Sequence, residues 1–159
     1  MKNTFLLAVF VVLSTAAFAF NQPTELRGIT TVNVMVADLP DVLSANGVGK
    51  DALASALEEA LRAAGLTVLS QGEYADTVPT VSLEVRAIKP PDGRIYAADI
   101  VLDCLDNVSS RRTAGVFTAI IWSKNVLALL GAVDQGRIMD GEKKLIEMFL
   151  GDYAQANQK

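Results

Sequence analysis

The chain of 159 residues contains no histidine and a single cysteine, Cys104, and sets 18 Asp and Glu against 14 Lys and Arg, a formal net charge of −4. These counts exclude the Ser-His-Asp and Cys-His arrangements, imidazole and thiolate zinc sites, and any internal disulfide. The acidic balance, with no basic cluster longer than Arg111-Arg112, argues against nucleic acid and anionic lipid headgroups as partners.

The chain opens with an export signature. Lys2 supplies a positive n-region, Phe5 to Leu13 an apolar h-region, and Ala17-Phe18-Ala19 a small-x-small cleavage site. Ser14 and Thr15 interrupt the apolar run after about a dozen residues, short of the roughly 20 that span a bilayer. Cleavage is expected after Ala19, giving a signal peptide over 1–19 and a single periplasmic domain over 20–159. That domain carries 13 cations and 18 anions, net −5. Phe20 stands where a lipoprotein has its cysteine, so no lipid anchor is expected.

After a polar lead-in over 20–25, Leu26 to Val36 alternates, with Thr30, Val32, Val34 and Val36 on the better-buried face, and predicts a strand. Residues 37–48, with Pro40, Asn46 and Gly47, read as a loop. Gly49 to Ala64 predicts an amphipathic helix: Leu53, Leu57, Leu61 and Ala64 form its apolar stripe, widened by Ala56 and Ala60. Asp51 suits its N-terminus and Gly65 its C′ position. A short strand over Leu66 to Leu69 follows at once, so the crossover implies parallel neighbours.

Val81, Leu83, Val85 and Ala87 then alternate with polar residues up to the turn Pro90-Pro91-Asp92-Gly93. The following strand places Tyr96, Ala98, Ile100, Leu102 and Cys104 on one face. A four-residue loop between Lys89 and Arg94 would set Leu83 against Ile100, Val85 against Ala98 and Val81 against Leu102, with Glu84 opposite Asp99. After a turn at Asp106 to Arg112, Thr113 to Lys124 reads as a strand apolar on both faces, which predicts a central position or a covered outer face. Asn125 to Ala132 has no clear period, and a bend is expected at Lys124-Asn125. Asp134 to Ala156 predicts a closing helix with Ile138, Leu145, Met148, Phe149 and Tyr153 on its apolar stripe, weakened at Gly136, Gly141 and Gly151 by about 1 kcal/mol each. The fold class is therefore α+β: a two-layer sandwich with a mixed sheet, elements in the order β-α-β-β-β-β-α, and helices on one face.

The motifs with chemical content are few. Gly47 to Lys50 opens a helix, but Ser44 and Asp51 stand where a phosphate loop needs glycine and a hydroxyl residue. Asp99 and Asp103 share a strand face about 13 Å apart, too far for one cation or for paired glycosidase carboxylates; with Asp106 and Glu84 they read as a solvated face. Cys104 reads as a buried small hydrophobe. Asn107-Val108-Ser109 matches the glycosylation pattern in a turn. No catalytic, cofactor or metal residues are expected. Trp122, Val126, Leu127, Leu129 and Leu130 form the candidate partner surface, an apolar run with neither period.

The strand-helix-strand of Val32 to Leu69, with its LxxALxxxG-like run Leu57 to Gly65, followed by a meander and a closing helix, resembles small bacterial envelope proteins. These are the lipopolysaccharide-assembly lipoprotein, the auxiliary lipoproteins of ABC transport, the penicillin-binding-protein activators and the amino-terminal domain of the Tol–Pal propeller protein. The resemblance covers most of the mature chain at the level of architecture and implies no catalytic residue. The expected function is a non-catalytic periplasmic accessory module engaging a protein or lipid-like envelope partner, self-association included. The alternatives are a small-ligand binder and an enzyme working with carboxylates alone.

Overall fold

The computed structural model describes residues 23–69, 73–88, 96–112, 114–130 and 135–158. The export signal, its cleavage site and the Pro90-Pro91-Asp92-Gly93 turn lie outside the described residues. After a 3-10 turn at Pro23–Leu26 come β1 (Thr31–Val36), α1 (Asp41–Ser44), α2 (Lys50–Ala63), β2 (Thr67–Val68), β3 (Thr80–Ile88), β4 (Tyr96–Ser109), β5 (Val116–Leu130) and α3 (Gln135–Ala156). The fold is α+β, a mixed five-stranded sheet of order β2-β1-β3-β4-β5. β1 runs parallel to β2 and β3, and β3, β4 and β5 form an antiparallel meander.

The two long helices share one face of the sheet because each has one apolar stripe to bury. On α2, Leu53, Leu57 and Leu61 are fully buried. The helix ends in a Schellman motif: the Leu66 amide donates to Leu61 O and the Gly65 amide to Arg62 O, with Gly65 at φ +90°. Ala64 is exposed beyond that stripe. The predicted loop before α2 contains the single turn α1, which buries Leu43. On α3, Ile138, Leu145 and Phe149 are buried, as are Gly141, Glu142 and Ile146, whereas Met148 faces solvent. Gly141 lets the helix close on the sheet, since a Cβ there would overlap Cδ1 of Ile100.

The β3–β4 register differs from the expected one by two residues. Val81 opposes Cys104, Leu83 opposes Leu102 and Val85 opposes Ile100. A shift of two preserves which face each side chain takes, so the apolar layer survives while every cross-strand partner changes. Arg86, not Glu84, therefore stands opposite Asp99, and Glu84 faces Val101. The like-charge pair does not form.

β5 also departs from expectation. Val116–Leu130 is one strand that passes straight through Lys124 and Asn125. The irregularity lies earlier: Cys104 pairs with Trp122 and Leu105 with Ile120, so Ile121 is an extra residue in a bulge. This inserted residue reverses the phase between Val116–Ile120 and Trp122–Leu130, so the strand as a whole follows no single alternation. β5 is moreover an edge strand, not a central one. Its two apolar faces arise because the Trp122 end packs inward while the other end runs past the rest of the sheet.

The two ends of the described chain are laced together. Arg27 Nε donates to Ala156 O at 3.2 Å, the Gly28 amide to Asn157 Oδ1 at 2.9 Å, and Tyr153 OH to Ile29 O at 2.8 Å. On the outer face of the sheet, Asn33 is buried where its carboxamide holds the segment leading into β3, donating to Ala75 O and Val78 O, both at 2.9 Å.

Candidate functional site

β4 is longer than β3. Its pairing with β3 ends where Leu105 meets Thr80, yet its pairing with β5 continues through Asp106–Ala119 to Ser109–Val116. The tip of the β4–β5 hairpin is thus a two-stranded ribbon extending beyond the rest of the sheet. Its turn is closed by the Ala114 amide on Ser110 O and the Ser110 amide on Gly115 O, both at 2.9 Å. Ala114 takes a φ of 52° to make it. Arg111 and Arg112 are exposed in this turn.

A two-stranded ribbon has little to bury its side chains against, here the loop that Asn107 holds through Asp76 O. Val116 is 71% exposed, Ile120 56% and Phe117 52%. Val116 and Ile120 lie on the outer face and Phe117 on the other, by strand alternation. Past the bulge, Leu127 returns to the outer face, 66% exposed. Val116 to Trp122 contains no charged residue, although natural edge strands are commonly guarded by charge or proline.

The predicted partner residues all follow the bulge and are divided by strand alternation between the two faces of the sheet. Trp122 belongs to the core: it is 1% exposed, packs edge to face on Phe149 at 5.1 Å, and its Nε1 donates to Asp152 Oδ2 at 2.9 Å. Val126 is partly buried against the same core. Leu127 is at the surface, and the side chains of Leu129 and Leu130 lie outside the described residues. Val116, Phe117 and Ile120 were not singled out from the sequence. Their signal is the doubled apolar face of Thr113 to Lys124, which predicts a central position or a covered outer face.

Several polar groups of the outer face are paired locally. Arg86 makes two bonds to Glu84, at 2.8 and 2.6 Å, and these hold the Glu84 carboxyl below its usual range. Asn125 Nδ2 donates to Asp99 Oδ1 at 2.8 Å. Lys50, the lysine of the glycine-containing loop, is bonded to Asp38 at 2.7 Å, which lowers the Asp38 carboxyl. Burial pushes the Cys104 thiol up to about 12, so it stays protonated and unreactive. Asn107 is tied on both sides, donating to Asp76 O and accepting from Thr118 Oγ1. Among the described residues no three His, Cys, Asp or Glu side chains form a group that could hold a metal ion. What this face offers is apolar contact and strand pairing.

No protein-family model and no curated protein matches the chain. Solved structures do. The chain is similar to PelC from Paraburkholderia phytofirmans, a dodecamer solved in two crystal forms, at 21% and 19% identity and TM-scores of 0.46 and 0.45. The match covers 83% of this chain and 90% or 91% of PelC. It is also similar to a minor lipoprotein from Acinetobacter baumannii, at 8% identity and a TM-score of 0.37, over 80% of this chain and 94% of that one.

Proposed function

We propose that the protein is an exported, non-catalytic accessory module of the bacterial envelope that engages a protein partner along β5 and its projecting ribbon. The observation that carries this reading is the exposure of Val116, Phe117, Ile120 and Leu127 along one edge strand. An edge of this kind, uncharged from Val116 to Trp122, pairs readily with an extended segment or with a second copy of the chain, main-chain bonds adding to apolar contact. The net negative charge and the short Arg111-Arg112 pair favour a protein over an anionic bilayer. The kinship with the lipopolysaccharide-assembly lipoprotein and Tol–Pal types, and a periplasmic location after cleavage at Ala19, belong to the same proposal.

The test is capture from envelope extract by the purified protein, with Phe117→Asp and Leu127→Asp alongside, and sedimentation at several concentrations to read self-association. Both side chains are exposed, so each variant should lose no more than about 0.5 kcal/mol of stability. Partner capture or self-association should fall at least tenfold. Undiminished binding by both folded variants sinks the reading.

A further inference from the structure

α2 and α3 lie side by side on the sheet, and between them is a groove of about 390 Å³ lined by residues of the two helices. Its walls are apolar: Ala56 and Ala60 from α2, and Met139, Ile146 and Leu150 from α3. The two alanines make the groove, because a larger side chain at either position would close it. Glu142 also lines it, although the residue is only 1% exposed. Neither of its carboxyl oxygens meets a hydrogen-bond donor among the described residues. An orphaned buried carboxyl is costly and calls for an explanation.

We propose that this groove is a binding site for a small amphipathic amine, a primary ammonium group on a medium-length alkyl tail. The volume falls at the small end of ligand sites. The remaining charged lining residues are Asp140, Glu147 and Lys143, so three carboxyl groups face one lysine, and a carboxylate or phosphate ligand would be repelled. A neutral alcohol can pair only with the protonated acid and brings no charge to balance a carboxylate. An ammonium group has three donors and can satisfy both, while its tail covers the alanines, Ile146 and Leu150. Burial holds the free Glu142 protonated at neutral pH, its pKa raised to about 8. Binding is then an exchange: the carboxylic acid gives its proton to the buffer and the resulting carboxylate pairs with the ammonium ion.

Titration calorimetry of the purified protein with n-octylammonium, n-octanol and octanoate tests this, run at pH 7 in buffers of different ionisation enthalpy. Octylammonium should bind at least tenfold more tightly than octanol, octanoate should not bind, and close to one proton should be released per amine. Glu142→Gln should weaken the amine at least tenfold and abolish the proton release, leaving octanol unchanged. Ala60→Leu, which fills the groove and leaves Glu142 in place, should block the amine and the alcohol alike. Octanol binding as tightly as the amine, an unaffected Glu142→Gln variant, or no amine binding at millimolar concentration overturns the proposal.

Discussion

Glu142 shows how much one side chain can set. It occupies a core-facing turn of α3, where the sequence leads one to expect an apolar residue, and its pKa is raised to about 8 because burial disfavours the charged form. The folded state therefore binds a proton that the unfolded chain, with an ordinary carboxyl, has released above pH 4.5. Its stabilising contribution is complete below the unfolded value and is lost as pH rises toward about 8. The other titratable residues of that groove are Asp140, Lys143 and Glu147, all from α3; α2 presents only Ala56 and Ala60 to it. Wild type should lose on the order of 3–5 kcal/mol between pH 4.5 and 8 from this group. Glu142→Gln should remove that dependence and be the more stable protein at pH 8. Parallel urea midpoints for the two proteins over that range would contradict the assignment. Helix spacing marks the position, four residues after Ile138 and three before Leu145, but Gly141 before it and two lysines after it give no sign that the carboxyl lacks a partner.

The elements were legible wherever a single periodicity ran long enough. α2 and α3 were placed to within a residue or two, because the spacing of Leu53, Leu57 and Leu61, and of Leu145 and Phe149, is set by helix geometry alone. β5 was not, because Ile121 breaks the alternation and the strand then resumes on the opposite phase. The β3–β4 register escaped for a related reason: registers differing by two satisfy the same apolar alternation, and only the length of the connection separates them. Gly141 is the complementary case, a helix-weakening residue whose reason lies in another element. Gly141→Ala should gain about 1 kcal/mol of helix propensity. It should lose about 1–3 kcal/mol by overpacking Ile100. The expected net is a modest destabilisation, a melting temperature lower by about 2–4 °C. A higher melting temperature would show that Ile100 moves aside at no cost.

At the scale of the whole molecule, the two ends of the described chain act as one unit. Asn157 donates from Nδ2 to Leu26 O at 3.2 Å and to Tyr153 O at 2.9 Å, and accepts from the Gly28 amide at 2.9 Å. It thereby holds the 3-10 turn against the end of α3. Asn157→Ala should cost about 1–3 kcal/mol by leaving these groups short of partners. Amide exchange at Gly28 should accelerate at least tenfold; unchanged exchange would mean that Arg27 and Tyr153 suffice to hold the turn. The sequence by itself determined the α+β class, the order of elements, the helix stripes and the exclusion of histidine, disulfide and phosphate-loop chemistry, because composition and local periodicity act on neighbouring residues. Tertiary structure alone decided that β5 lies at the sheet edge, that Trp122 turns inward while Leu127 turns out, that the hairpin tip outruns β3, and that two alanines and a buried carboxyl meet between the helices. Those outcomes depend on which distant segments pack together, and burial is a property of that packing rather than of any short stretch of chain.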